Sequence, residues 1–243
     1  GDGDSASIGI GQLIHAIRRN VDMVYILENN GVYGLTKGQY SATADIGSKK
    51  KKGAVNETQP IDLCALAINL GCTFVARSFS GSKKQLKSLV KAAMSHKGFA
   101  LIDVISPCVT FNNNDESLKS YGYVKDNNVT LHIADYIPNR APMEEIEVPE
   151  GHYRDITLHD GSIIRLETIS EDHDPTNAVA ALSALHAADA EAKHVTGLLY
   201  FDGNKPSLIE DLELVDRALI DVADNELRPS SETLDKLNAA FLS

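Results

Sequence analysis

Tryptophan is absent from this 243-residue chain, and the aromatic share is only 6%. Platforms that stack bases of single-stranded nucleic acid need several exposed aromatics, so the composition argues against one. An excess of positive charge is missing too. The chain has 23 Lys and Arg against 34 Asp and Glu, a net charge of −11, the wrong sign for neutralising a phosphate backbone. Nucleic acid is therefore not expected as a partner. No run of about eighteen apolar residues occurs, so no membrane-spanning helix is expected. No basic start runs into an apolar stretch, as a secretory leader would. Three cysteines, Cys64, Cys72 and Cys108, do not make a disulfide framework, and a reducing, cytoplasmic setting follows by default. No Ser–His–Asp set is evident, His96, His159 and His173 lack metal-ligand spacing, and no internal repeat is present. An initiator methionine is lacking as well.

Apolar residues make up 43% of the chain, enough for a substantial core in one large domain, or one domain with an appendage. The chain opens on Gly1-Asp2-Gly3-Asp4. A phosphate-binding turn ordinarily follows a strand, and none precedes Gly1, so the sequence is expected to be the C-terminal part of a longer protein.

Residues 7–19 place Ile8, Leu13, Ile14 and Ile17 near helical spacing, with Arg18 and Arg19 where positive charge suits a helix C-terminus. Residues 21–28 form an apolar run of buried-strand type. Residues 29–59 read as loop, polar and mobile over 43–58, with a basic run at Lys49–Lys52. A helix opens at Pro60-Ile61-Asp62, with Pro in its first turn, and ends before Gly71. Strands are expected at 72–76 and 99–105, separated by an amphipathic helix over 82–96. Helix and strand alternate three times, the signature of a mostly parallel sheet with helices on both faces. The rhythm then changes. Residues 115–151 are mixed and polar, with acids at Glu144, Glu145, Glu147 and Glu150. Residues 155–158 and 162–166 flank His159-Asp160-Gly161, a hairpin signal. An Ala-rich helix over 177–193, a strand over 196–201 and a terminal helix over 231–242 follow. The expected division is 1–125 for the α/β domain and 126–243 for a C-terminal extension with a β-hairpin and helices.

Two oxygen donors, Asp2 and Asn30, are separated by one helix pattern and one strand pattern, which can return both to one sheet edge. A small hard cation held there could anchor a diphosphate. Magnesium takes six oxygens, some from the phosphates, and the carbonyl of Val32 is a plausible third protein ligand. Gly1 and Gly3 let backbone approach the phosphates. The plain alternative for Asp2 is a turn aspartate beside glycines.

The segments GDGD at 1–4 and NNGVYGLTKGQ at 29–39 resemble the β subunit of 2-oxoacid:ferredoxin oxidoreductases. The likeness continues through GCTFVARSFSG at 71–81 and HKGFALIDVISPCVTFN at 96–112. It extends less tightly through HDPTNAVAAL at 173–182 and TGLLYFDGNKPSL at 196–208. That resemblance implies a thiamine-diphosphate-binding fold lacking its N-terminal part. It implies magnesium on Asp2, Asn30 and the Val32 carbonyl, and thiamine diphosphate against Gly3, Asp4, Gly34 and Leu35. Leu35 and Lys37 would lie near the 2-oxoacid. Cys108 would be one of four ligands of a [4Fe–4S] cluster, the other three lying outside this chain. The implied reaction is oxidative decarboxylation of a 2-oxoacid, 2-oxoglutarate ahead of pyruvate, to acyl-coenzyme A and carbon dioxide. Electrons would pass to ferredoxin, and an α subunit would complete the enzyme.

Each residue also has a plainer reading. Leu35 would pack in a core, Lys37 would be a solvated loop lysine, and Cys108 a buried free thiol. Lys49–Lys52 would be a solvated loop or a dock for an acidic electron carrier. Two other functions stay open: a non-redox thiamine-dependent decarboxylase or synthase, and a non-catalytic assembly module.

Overall fold

The computed structural model describes residues 1–48, 55–139, 153–168, 173–214 and 217–241. The basic run Lys49–Lys52 and the acids Glu144, Glu145, Glu147 and Glu150 lie outside these residues. Two compact units are present, Gly1–Leu208 and Ile209–Ser243.

The first unit starts with a π-helical turn, Asp4–Ile8, leading into α1 (Ile10–Arg18) and β1 (Met23–Asn29). A small hairpin follows, β2 (Val32–Tyr33) and β3 (Gln39–Tyr40). Then come α2 (Leu63–Asn69), β4 (Phe74–Phe79), α3 (Lys83–Met94) and β5 (Phe99–Ile105). The remainder holds α4 (Tyr121–Asp126), β6 (Asn128–Thr130), β7 (His132–Ile137), β8 (Tyr153–Thr157), β9 (Ile163–Thr168), α5 (Ala178–Ala190) and β10 (His194–Phe201). A short helix α6 (Leu208–Asp211) opens the second unit, which also carries α7 (Asp224–Leu227) and α8 (Ser231–Phe241). None of the described residues from Ile209 onward is buried.

The central sheet runs β1-β5-β4-β10-β6. β1 pairs with β5 in parallel from Met23↔Phe99 to Asn29↔Ile105, and β4 pairs with β5 in parallel to Phe79↔Ile105. The three C-terminal strand ends therefore lie along one edge, where parallel sheets place ligands. β10 enters antiparallel to β4, and β6 runs parallel to β10. Both of these strands come from beyond residue 125, so the segment read as an extension contributes to the same sheet, and the expected boundary falls inside the first unit. A second, antiparallel sheet, β7-β9-β8, contains the expected hairpin around Gly161.

Alternation across the strands divides the core. Leu27, Val75 and Leu101 face α1, α2 and α5 through Leu13, Ile17, Leu63, Ala67 and Leu185. Phe74, Ala76, Ile102 and Leu198 face α3 and the second sheet through Leu89, Ala93, Ile156 and Ile164. Every residue of β4 and β5 is buried, as expected for strands covered on both faces. The two charges inside these strands face each other in register: Arg77 Nε donates to Asp103 Oδ2 at 2.8 Å.

Helix α2 begins later than expected. Asp62, in extended backbone, accepts from Ala65 N at 3.0 Å and takes the N-cap, leaving Pro60 ahead of the helix rather than in its first turn. Gly71 stops the helix at a φ of +75°.

Candidate functional site

Asp2 is 1% exposed, and its carboxylate is gripped by the loop after β1. Oδ2 accepts from Gly31 N at 3.0 Å and Thr43 Oγ1 at 2.6 Å, and also from Ser41 Oγ. Among the described residues, Oδ1 receives only Asn30 N, at a long 3.4 Å. Three donors on one oxygen fix the orientation of the group, while the other keeps lone-pair capacity for a cation. The distant residues 2 and 30 thus meet, because α1 and β1 return the chain to its starting edge.

Asn30 Oδ1 accepts from Val32 N at 3.0 Å, an Asx turn that holds the amide oxygen on the loop; an amide oxygen has a second lone pair besides. Val32, at the start of β2, is 8% exposed. A carboxylate, an amide oxygen and a backbone carbonyl are the donor types that a small hard cation prefers, and Asp2, Asn30 and Val32 carry one of each within this loop region. Among the described residues, no group of three or more His, Cys, Asp or Glu could hold a metal ion. The candidate set has a single acid and rests on its mixed oxygens.

Gly3 is required for a reason other than backbone freedom. Its φ of −60° and ψ of −40° are helical and open to any residue. A Cβ there would lie 2.4 Å from the Tyr33 ring, whose hydroxyl donates to Gly3 O at 2.9 Å. Asp4, next in the chain, is exposed. Gly34 is exposed, and a Cβ on it would meet nothing within 4 Å. Leu35 is 99% exposed, which rules out the core-packing reading. Lys37 is exposed and left-handed, with a φ of +76°, and its amide closes a turn onto Gly34 O at 3.2 Å. Lys37 also borders a cleft of about 430 Å³ with Val32, Gly38, Tyr40 and residues 109–114.

Those last residues follow Cys108. Ser106 N donates to Asn29 O at 2.9 Å, extending the β1–β5 pairing and bringing the two loops together. Cys108 is half-buried in a tight turn, its carbonyl accepting from Asn112 N at 2.8 Å. Cys64 and Cys72 are fully buried core thiols. Burial pushes the Cys64 thiol well above its usual range and raises Cys72 to about 11. A [4Fe–4S] cluster needs four thiolates as a rule, and this chain presents one, so it cannot hold a cluster by itself.

Several contributors escaped the sequence reading. Ser41 and Thr43 lie in or beside the stretch read as mobile loop, yet both are buried on Asp2. The far side of that stretch is anchored as well, with Asn56 Nδ2 donating to the carbonyls of Ala44 at 2.8 Å and Thr58 at 3.0 Å. Tyr33 and Asn112 lay inside the quoted motifs without an assigned part. His15 is exposed on α1, and nothing described places it at the Asp2 carboxylate.

Residues 1–104 match the family described as thiamine pyrophosphate enzyme, C-terminal TPP binding domain. Over 114 residues the chain is 54% identical to the 2-oxoacid:ferredoxin oxidoreductase subunit beta of Sulfolobus sp, taking in 46% of this chain and 37% of that protein. Over 141 residues it is 39% identical to the 2-oxoglutarate synthase subunit KorB of Methanocaldococcus jannaschii, covering 55% of this chain and 52% of that one. In shape it resembles the 2-oxoglutarate:ferredoxin oxidoreductase of Magnetococcus marinus, solved with 2-oxoglutarate, coenzyme A and succinyl-CoA bound. That match has a TM-score of 0.65 and 27% identity, covering 98% of this chain and 65% of the other. The chain therefore spans about a third to a half of the length of these curated relatives.

Proposed function

We propose that this chain, whose first 104 residues match the C-terminal TPP-binding domain family of thiamine pyrophosphate enzymes, works as part of the β subunit of a 2-oxoacid:ferredoxin oxidoreductase. The observation that carries the reading is the Asp2 carboxylate, oriented through Oδ2 and offering Oδ1 beside the Asn30 loop. Asp2, Asn30 and the Val32 carbonyl hold magnesium in this reading. Gly3, Asp4, Gly34 and Leu35 contact thiamine diphosphate. When bound, thiamine diphosphate supplies the carbanion chemistry that releases carbon dioxide from a 2-oxoacid. Leu35 and Lys37, both exposed on the loop, would meet a substrate that a partner subunit helps to enclose. The Lys37 ammonium would pair with the substrate carboxylate.

Cys108 gives one ligand to a [4Fe–4S] cluster, with three others from outside this chain. Its turn abuts the Asn30 loop, which favours a short path between cofactor and cluster. The partners are an α subunit, coenzyme A and ferredoxin, and 2-oxoglutarate is preferred to pyruvate. The names of the relatives support that order. A cytoplasmic setting agrees with three unpaired cysteines. Residues 1–125 carry the cofactor contacts, and 126–243 complete the sheet and add the exposed helices.

The test is anaerobic assembly with the α subunit, followed by iron and sulfide analysis and by assay of ferredoxin reduction dependent on 2-oxoglutarate and coenzyme A. Loss of both cluster and reduction in Cys108→Ser, with thiamine diphosphate still bound, is expected. An active native complex without iron would turn the assignment to a non-redox decarboxylase or synthase. A native assembly that binds no cofactor would leave a non-catalytic module.

A further inference from the structure

Asn112 connects two parts of the site that are far apart in sequence. It is 7% exposed. Its side-chain Nδ2 donates to the carbonyl of Asn30 at 2.7 Å, while its backbone N donates to Cys108 O at 2.8 Å. Cys108 and Asn112 also form an isolated antiparallel bridge. On the loop side, Gly31 is left-handed at a φ of +76°, and a Cβ there would approach Asn112 Nδ2 to 3.0 Å. The peptide that Asn112 holds is the one whose neighbouring amides, Asn30 N and Gly31 N, grip Asp2. A continuous chain of bonds therefore runs from the Asp2 carboxylate, through the Asn30–Gly31 peptide and the Asn112 amide, to the Cys108 turn.

We infer that Asn112 is a positioning residue that locks the Cys108 turn to the Asp2–Asn30 loop, so that a change at the loop is felt at the Cys108 thiol. The link is short and direct. Nδ2 has its acceptor on the loop, and the backbone bond to Cys108 O fixes the residue that carries it on the turn. The Asn112 amide is buried and the Asn30 residue half-buried, so loss of the bond would leave the amide without this acceptor away from water. Asn112 would then keep the distance between cofactor and cluster ligand constant as the loop takes up its load. The value of this for electron transfer rests on the proposed function. The coupling itself does not.

Alkylation of Cys108 by iodoacetamide in the 243-residue chain reads this coupling, because Cys64 and Cys72 are fully buried. Four proteins form a cycle: the native chain, Asp2→Asn, Asn112→Ala and the double variant. Asp2→Asn loosens the grip on the Asn30 and Gly31 amides without changing size. With Asn112 present, it should change the Cys108 rate by about threefold or more. With alanine at 112 the same substitution should change it by less than about 1.5-fold. If Asn112 only props up its own turn, the two substitutions act independently and the Asp2→Asn effect is the same in both backgrounds. That outcome, or no effect of Asp2→Asn in the native background, overturns the inference. Should Asp2→Asn fail to fold, Thr43→Val removes another donor from the same Oδ2 that Gly31 N binds. A parallel calorimetric titration with thiamine diphosphate and magnesium keeps the two ideas apart: a native chain that binds no cofactor sinks the functional reading, while the cycle still decides the coupling.

Discussion

His132 opens β7, is 1% exposed, and provides a buried neutral acceptor at the junction of the two sheets. Its Nε2 accepts from Leu198 N at 2.8 Å, at the point where β10 bulges. Gly197 is left-handed, with a φ of +129°, and a Cβ there would come within 2.8 Å of that same Nε2. Burial, assisted by the stacked ring of His173, depresses the His132 pKa from 6.5 to about 3. The unfolded chain therefore binds a proton that the folded chain refuses across roughly pH 3 to 6.5. The sign follows: this contribution to stability is complete above pH 6.5 and falls as the pH is lowered. The slope is about 1.4 kcal/mol per pH unit inside the window, and the loss between pH 7 and pH 5 is about 2 kcal/mol. Urea unfolding of the native chain and of His132→Leu at steps from pH 7 to pH 4.5 measures it. The variant is less stable throughout, since Leu198 N loses its acceptor, but its stability should decline with a slope shallower by about 1.4 kcal/mol per pH unit. Equal slopes in the two proteins would refute the argument.

Gly3→Ala should destabilise the chain by about 1–3 kcal/mol, because the Tyr33 ring has to move and its bond to Gly3 O is strained. In a Tyr33→Ala background the same change should be close to neutral, and urea titration of the four proteins tests this. Arg77→Met leaves Asp103, fully buried, without its ion partner and should cost about 3–5 kcal/mol. Arg77→Met/Asp103→Leu should recover most of that loss in the same assay, and no recovery would show that the unpaired Asp103 charge is not the reason.

β5 was legible because it is an apolar run that starts after Gly98, whereas β1 forms close to where it was expected but buries only Leu27 and Asn29, so it is not the buried strand its apolar run suggests. The expected range 99–105 is the observed β5. The direction of β10 was not legible, since an apolar run carries no arrow, and its antiparallel entry depends on α5 returning it to the sheet. β7 was missed although His132–Ile137 alternates buried and exposed residues at its start, because it lies in a stretch judged by polarity rather than by period. At the site, the meeting of Asp2 and Asn30 could be anticipated from one helix and one strand between them. Ser41 and Thr43 could not, because a hydroxyl turned inward by a loop leaves no periodic mark. The role of Asn112 needed the register Asn29↔Ile105, which sequence alone does not provide. Leu35 shows the converse: its residue type suggests a core, and only the fold reveals it standing in solvent.

Calorimetric titration of thiamine diphosphate into the native chain and into Asp2→Ala, each with magnesium and with a chelator, addresses the central claim most directly. The account predicts binding to the native chain that requires magnesium and weakens by about 100-fold or more in Asp2→Ala, as expected when the only charged ligand of a cation is removed. Equal affinity in the two proteins, or binding indifferent to magnesium, would contradict it.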